Sequence, residues 1–268
     1  MQKMLSHLRK CIDDYAMIAP GDRIAVGVSG GKDSLSLLLL LARLRDFYPL
    51  PFDLSAITLD MGYENPDYSP IADLCAGIGV EYIIKPTQIK QIVFDVRHEK
   101  NPCALCAKLR RGALNDTARE NQCNKVALGH HFDDAVETFM MSLFYEGRIS
   151  CFQPVTELER AGVTVIRPML YMTEREVINF AHRQALPVCK NPCPADKNTR
   201  REDMKQMIRH LEHDHHDLRR HIFGAMQRRP LDGWGIISKA GPPQEEQHCQ
   251  SGGPEDADDG RIEQIQPQ

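Results

Sequence analysis

The chain has no long apolar run, and this absence excludes one class of protein. Its longest apolar stretch, Leu35 to Ala42, is far shorter than the ~20 residues that a membrane-spanning helix needs. The N-terminal residues MQKMLSHLRKCIDDY contain no hydrophobic signal-peptide core. We therefore expect a cytoplasmic protein that contacts no membrane. With 268 residues, 42% hydrophobic and 26% charged, the composition is typical of a soluble globular protein of one or two domains.

The chain also has little net charge, and that charge is unevenly distributed. The formal charge is −4, but residues 241–268 hold seven acids and one base. Subtracting this segment from the 33 bases and 37 acids of the whole chain leaves 32 bases and 30 acids. Charge alone therefore does not argue for a nucleic-acid partner. The segment 241–268 is rich in Gly, Pro, Gln and acid, which predicts a disordered acidic tail.

No internal repeat is visible, and strand-like segments alternate with helix-like ones. This alternation predicts an α/β fold with a doubly wound parallel sheet. An amphipathic helix, Met4 to Met17, precedes the sheet, and a helical extension follows it. The predicted strands are Ile24 to Val28, Leu54 to Leu59, Glu81 to Ile84, Lys125 to Leu128 and Val163 to Ile166. The later predicted helices are Ile71 to Ile78, Ala104 to Asn121, Ala135 to Tyr145, one from Thr173, and Arg201 to Gln227.

A glycine-rich turn, SGGKDS at residues 29–34, joins the first predicted strand to a helix. Two glycines allow the backbone to approach a ligand closely and direct successive N–H groups at it. The helix N-terminus adds positive potential, and Lys32 adds a full charge. The turn therefore predicts a phosphate site, although it lacks the spacing of a Walker A loop.

Two further groups of acids follow predicted strands. The motif GHHFDDAVET begins at Gly129, after the fourth predicted strand, and Asp60 ends the second. The C-terminal ends of parallel strands share one edge of the sheet, so these side chains are expected in one crevice. Asp133 and Asp134 could hold Mg²⁺ between phosphates, or act as a polar helix cap. Asp60 could instead be a turn residue.

The nine cysteines argue against a disulfide framework in a cytoplasmic protein and for metal or redox chemistry. Cys103 and Cys106 have CxxC spacing, which suits a metal, an iron–sulfur cluster or a redox dithiol. A later loop supplies Cys189 and Cys193 as further ligands. Cys11, Cys75, Cys123, Cys151 and Cys249 are expected to be ordinary core or surface residues.

SGGKDS and GHHFDDAVET, in this order, resemble the two motifs of the PP-loop (N-type) ATP pyrophosphatases that modify tRNA. A longer series of segments looks like the tRNA 2-thiocytidine synthetase (TtcA) family. In chain order these segments are PCALCAKLRRGAL, ALGHHFDDAVETF, VIRPMLYMTEREV, a cysteine-bearing loop and a helix ending in GAMQ. This resemblance covers roughly Leu5 to Pro230. It implies ATP-dependent adenylation of the C2 carbonyl of a cytidine in the anticodon loop, at position 32. Sulfur delivered on a four-iron, four-sulfur cluster then replaces the oxygen.

The resemblance implies a site residue by residue. The ATP site would comprise Ser29, Gly30, Gly31, Lys32, Asp33, Ser34, Asp60, Gly129 and His130. The catalytic set would be Lys32, Asp33, Asp133, Asp134 and Arg110, with Mg²⁺ placed by the aspartates. Cys103, Cys106 and Cys193 would hold the cluster. Cys189 stays an alternative third ligand, because the family's loop has CxxC and this chain has Cys189-x₃-Cys193.

The partners implied are tRNA, a sulfur donor such as a cysteine desulfurase, and a second copy in a homodimer. Lys108, Arg111, Arg200 and Arg201 are predicted to bind tRNA, or else to form a solvated helix face. The predicted domains are an N-terminal helix (1–20), a PP-loop α/β domain with a CxxC insertion (21–185), and a cysteine loop with a C-terminal helix (186–232).

Other functions would leave different features. A 2-thiouridine synthetase of the same superfamily would carry two further CxxC pairs in zinc ribbons, and this sequence has none. A lysidine-type ligase needs no cysteine trio, and a thioredoxin-like protein needs neither ATP motif. A non-catalytic zinc-stabilised nucleotide- or RNA-binding protein would need a fourth metal ligand. The histidines of the last predicted helix form either a metal site or a solvated face.

Overall fold

The computed structural model describes residues 1–64, 66–97, 102–189, 193, 200–228 and 231–237. The strands are β1 (Asp22–Gly27), β2 (Phe52–Asp60), β3 (Glu81–Pro86), β4 (Lys125–Ala127), β5 (Val155–Leu158) and β6 (Val163–Ile166). The α-helices are α1 (Gln2–Asp14), α2 (Lys32–Arg45), α3 (Ser69–Gly77), α4 (Pro102–Glu120), α5 (Phe132–Glu146), α6 (Glu174–Arg183), α7 (Arg200–Asp214) and α8 (Leu218–Arg228). A π-helical turn, Gln91–Val96, and a 3₁₀ turn, Glu159–Ala161, complete the regular structure of these residues.

The strands form one sheet in the order β3-β2-β1-β4-β6-β5. All neighbours are parallel except β5, which pairs antiparallel with β6. The predicted α/β fold is therefore confirmed, with an antiparallel edge strand that the sequence analysis missed. Ile24, Ala25 and Val26 of β1 are fully buried, as expected for a central parallel strand covered on both faces. The chain leaves β1 toward β2 and later returns to β4 on its other side, which opens a crevice at the C-terminal edge.

The long predicted helix from Arg201 to Gln227 is wrong, because the structure has α7 and α8 instead. A turn separates them, in which the Leu218 N–H donates to the His215 carbonyl. Sequence periodicity misses this break because both halves carry apolar residues at helical spacing. The turn sends α8 back so that Phe223 packs on Phe132 of α5, with ring centroids 4.7 Å apart.

One hydrophobic core includes residues from all three predicted domains, such as Leu8, Leu38 and Met226. The boundaries at 20 and 186 remain predictions. The predicted tail lies outside the described residues. None of the described helices is both long and apolar enough to cross a membrane.

Candidate active site

Residues 29–34 form a closed loop between β1 and α2. The Ser29 N–H donates to Ser34 Oγ over 3.1 Å, and Ser34 Oγ donates to the Gly31 carbonyl over 3.0 Å. Gly30 has φ +79°, a conformation that glycine adopts without strain. Gly31 is the N-cap of α2, so the loop meets the positive end of a helix. This geometry suits a phosphate group.

The Lys32 ammonium lies between two carboxylates. Its Nζ is 2.9 Å from Asp33 Oδ2 and 3.6 Å from Glu174 Oε1. Burial favours the neutral amine, but Asp33, Glu174 and Asp134 outweigh it and raise the pKa of Lys32 above its usual 10.5. Lys32 is therefore charged at neutral pH and able to bind phosphate.

The second motif packs directly against the first. A Cβ added to Gly129 would lie 2.9 Å from the Asp33 carbonyl carbon and 3.1 Å from the Ser34 nitrogen. Only glycine permits this approach, so Gly129 brings β4 against the phosphate loop. Asp60 ends β2 at the same sheet edge, where it accepts from the Gly62 N–H over 3.0 Å.

The two aspartates of the second motif are engaged by protein groups. Asp133 accepts from the Glu174 N–H over 2.6 Å and lies 3.0 Å from Arg219. Asp134 accepts from the His131 N–H over 3.0 Å in a capping box and lies 3.1 Å from Arg201. No three His, Cys, Asp or Glu side chains in the described part of the chain are arranged to hold a metal ion. The Mg²⁺ role of Asp33, Asp133 and Asp134 stays a prediction.

Sequence reasoning missed Arg219 at this motif, and it assigned Lys205 to nucleic-acid binding rather than to an ion pair. Arg219, 12% exposed, reaches Asp133, Glu137 (3.7 Å) and Glu212 (3.0 Å). Lys205 pairs with Glu174 over 2.6 Å. No local signal distinguishes Arg219 from its exposed neighbour Arg220, so only the fold of α8 against α5 identifies it.

His130 is held neutral. Its ring lies 4.8 Å from that of Phe152, and its Nδ1 is buried without a hydrogen-bond partner. Burial lowers the pKa of His130 to about 4, with further lowering by Arg167 and Arg201. The imidazole is therefore uncharged at neutral pH and has one unused polar atom.

Cys103, Cys106 and Cys193 lie near one another. The pKa of Cys106 is raised, mainly by burial and also by Cys193 and Cys103. Arg110, which hydrogen-bonds to Cys106, partly opposes this rise. Tyr63 hydrogen-bonds to Cys193. We call Cys103, Cys106 and Cys193 the thiol trio. Thiolates are the usual ligands of iron–sulfur clusters, so the donor type of the thiol trio suits one, although its three sulfurs are not arranged around a single metal ion in this structure.

Cys189 lies instead against the phosphate loop. Its N–H donates to the Gly30 carbonyl over 2.9 Å, and its Sγ is 3.6 Å from the position of a Cβ on Gly30. This placement favours Cys193 over Cys189 as the third ligand, which stays a prediction. Cys11, Cys75 and Cys123 are buried and Cys151 is half-buried, whereas Cys249 lies outside the described residues.

The four predicted tRNA-binding bases have different surroundings. Lys108 and Arg111 are exposed on α4. Arg200 lies 5.5 Å from the ring centroid of Tyr145. Arg201 is bound to Asp134 and donates to Thr138 Oγ1 over 3.0 Å, so part of its charge is already used within the protein.

Comparisons with known proteins agree with this architecture. Residues 2–211 match the PP-loop domain family. The tRNA-cytidine(32) 2-sulfurtransferase of Pelobacter propionicus is 38% identical, over 81% of this chain and 82% of that protein. The protein of the same name from Geobacter metallireducens is 36% identical, over 84% of this chain and 89% of its own length.

A solved structure shares the fold. The U34-tRNA thiolase NcsA from Methanococcus maripaludis, with its [4Fe-4S] cluster, superposes with a TM-score of 0.66 and 26% identity, covering 81% of this chain and 75% of that chain. The chain therefore belongs to the PP-loop domain family and, within it, to the family of the tRNA-cytidine(32) 2-sulfurtransferases.

Proposed function

We propose that the protein is an ATP-dependent tRNA thiolase that converts cytidine 32 of the anticodon loop to 2-thiocytidine. One observation carries the proposal most directly. A phosphate loop and a thiol trio occur together in a chain that shares 38% identity with a tRNA-cytidine(32) 2-sulfurtransferase. ATP, Mg²⁺ and a four-iron, four-sulfur cluster are the cofactors of this reaction.

The phosphate loop binds and orients ATP. The amides at the N-terminus of α2 and the Lys32 ammonium would hold the β- and γ-phosphates. Lys32 would exchange Asp33 and Glu174 for phosphate oxygens, while Lys205 keeps Glu174 paired. The freed Asp33, with Asp133 or Asp134, would place Mg²⁺.

Adenylation creates the leaving group. The C2 oxygen of cytidine attacks the α-phosphorus of ATP, the bond to pyrophosphate breaks, and sulfur then replaces the oxygen as AMP departs. Cys103, Cys106 and Cys193 would hold the iron–sulfur cluster, which would supply sulfur at this point. Arg110 would favour anionic sulfur beside Cys106 by its charge.

The finer features are part of the same proposal. The cytidine belongs to the tRNA, and this chain has no sulfur source of its own for the reaction. A donor such as a cysteine desulfurase therefore provides the sulfur. We also propose that the protein works in the cytoplasm, as a homodimer, and that Lys108, Arg111, Arg200 and Arg201 contact tRNA.

The reaction tests the proposal. Anaerobic protein is incubated with sulfide, ATP and a tRNA transcript carrying cytidine 32, and nucleosides are identified by mass spectrometry. We expect 2-thiocytidine and equal AMP and pyrophosphate. β,γ-Methylene-ATP should support the reaction and α,β-methylene-ATP should not, because the α–β bond breaks. Formation of 2-thiouridine, or of ADP and phosphate, would contradict the proposal.

A further inference from the structure

Arg167 is a largely enclosed arginine without an acidic partner. It follows β6 and therefore lies at the C-terminal edge of the sheet. Its Nη1 donates to the Gln153 carbonyl and, over 3.0 Å, to Thr156 Oγ1. Its Nε is buried without a hydrogen-bond partner, and among the described residues no carboxylate forms an ion pair with it.

A cation in this position is costly to keep. Removing a charge from water without a counter-charge is unfavourable, so buried arginines are usually paired. Cys151 is the titratable group that most favours the charged form of Arg167, but it does not supply a negative charge, because burial raises the pKa of its thiol to about 12. Burial, reinforced by Arg111, lowers the pKa of Arg167 to about 10, so the guanidinium is still charged at neutral pH.

Other groups around Arg167 could also contact a ligand. Its Cζ lies 4.9 Å from the ring centroid of Phe152, the ring that also contacts His130. His130 contributes the second buried and unpaired polar atom, Nδ1. Arg111 contributes an exposed second positive charge from α4.

This group adjoins, along the chain, residues of both parts of the candidate site. Arg111 directly follows Arg110, which hydrogen-bonds to Cys106 of the thiol trio. His130 directly follows Gly129, which packs on the phosphate loop. A substrate that must reach both the ATP and the sulfur would pass between them.

We propose that Arg167 and Arg111, beside His130 and Phe152, form a second phosphate-binding site, distinct from the ATP loop. Guanidinium groups bind phosphate bidentately and are the side chains best suited to it. The ligand we favour is a backbone phosphate of the tRNA next to the modified nucleotide, and only this choice of ligand rests on the proposed function. The reason is position: β4 lies between β1 and β6, so Arg167 is two strands, or ~10 Å, from the loop that serves ATP.

Binding measurements on Arg167→Met and Arg111→Met test the proposal. Methionine retains much of the apolar stem and removes the charge. Arg160→Met is the matched control, because Arg160 is an exposed arginine in the turn of the same β5–β6 hairpin. The dissociation constants for tRNA and for ATP are measured at several salt concentrations, and thermal unfolding confirms that each variant is folded.

We expect each variant to bind tRNA about tenfold more weakly, with a salt-dependence slope lower by about one. The ATP affinity and the control should be unchanged. The double variant should lose less than the sum of the two single losses if both arginines bind one phosphate.

Unchanged tRNA affinity and slope in both single variants would overturn the tRNA assignment. If ATP affinity falls instead, the phosphate site stands and its ligand is the nucleotide. If neither ligand is affected, the site itself is refuted. If Arg167→Met does not fold, Arg167→Lys tests the site instead, because lysine keeps the charge but loses the guanidinium fork that binds phosphate bidentately, so tRNA affinity should still fall. Failure of the proposed function would appear separately, as wild-type protein that binds tRNA but forms no 2-thiocytidine.

Discussion

At the scale of single side chains, the cysteines differ in their suitability as ligands of the proposed cluster. Cys193 belongs to the thiol trio, whereas Cys189 contacts Gly30 of the phosphate loop. We expect Cys103→Ala, Cys106→Ala and Cys193→Ala to lose their iron, because each removes a thiolate ligand, while Cys189→Ala keeps it. The measurement is iron, sulfide and zinc per chain in protein purified without oxygen. Iron lost with Cys189 and kept with Cys193 would reverse the ligand assignment, and stoichiometric zinc without iron would refute the cluster.

Arg219 shows how much one buried charge can matter. It is the shared cation of Asp133, Glu137 and Glu212. We expect Arg219→Met to lower the free energy of unfolding by ~3–5 kcal/mol, because the buried carboxylate of Asp133 loses its cationic partner, whereas Glu137 keeps Arg201. Urea denaturation measures this loss.

The neighbouring Arg220 is the matched control. Its side chain is 81% exposed and pairs only with the exposed Asp217 among the described residues. Arg220→Met should change the free energy of unfolding by less than ~0.5 kcal/mol. Equal losses in the two variants would show that Arg219 does not organise the second motif.

At the scale of elements, the contact between β4 and α2 joins the two ATP motifs. Gly129→Ala would push a Cβ against the backbone of Asp33 and Ser34, at a cost of ~1–3 kcal/mol. We expect weaker ATP binding together with lower stability, measured by calorimetry and denaturation.

Gly112→Ala controls for the extra methyl group. A Cβ at Gly112, inside α4, meets nothing within 4 Å. This variant should gain up to ~1 kcal/mol of stability from helix propensity and bind ATP normally. Unchanged ATP affinity in Gly129→Ala would mean that the phosphate loop does not depend on this contact.

The capping box of α6 makes stability depend on pH. Partial burial opposes ionisation, but Lys3 and Thr173 together lower the pKa of Glu176 from 4.5 to about 2. The charge therefore contributes its full stability above about pH 4.5, and the contribution is lost as the pH falls toward 2. Glu176→Gln retains a capping side chain without the charge.

We expect Glu176→Gln to be ~1 kcal/mol less stable than wild type at pH 7 and equally stable near pH 2. Denaturation across this pH range measures the difference. Glu157→Gln, a change at an exposed residue of β5, should show a smaller dependence. A difference for Glu176→Gln that is constant with pH would contradict the role of its charge.

At the scale of the whole molecule, α1 shares the core of the sheet. Leu8 is fully buried in the cluster that also contains Ile24 and Met226. We expect Leu8→Ala to cost ~2–5 kcal/mol and to shift a single cooperative unfolding transition. Leu211→Ala, at a residue 37% exposed, should cost less. A separate early transition for α1 would support the predicted boundary at residue 20.

The sequence could reveal features whose chemistry is contiguous. A loop such as residues 29–34 needs its glycines, lysine and helix start within a few positions, and the same holds for the capping acids after β4. Buried strands such as β1 are predicted from a run of β-branched residues. These local constraints predict the sheet, both ATP motifs and the CxxC pair.

Contacts between segments that are distant along the chain can be identified only in the tertiary structure. The α/β fold, the phosphate loop and the family resemblance can all be inferred from the sequence, because each depends on the backbone and on neighbours along the chain. The fold alone decided that α8 turns back to bring Arg219 onto Asp133, that Cys189 meets Gly30, and that Arg167 has no acidic partner among the described residues. Burial and charge pairing depend on which groups tertiary packing brings into contact. The separation of two residues along the chain does not indicate their distance in the folded protein.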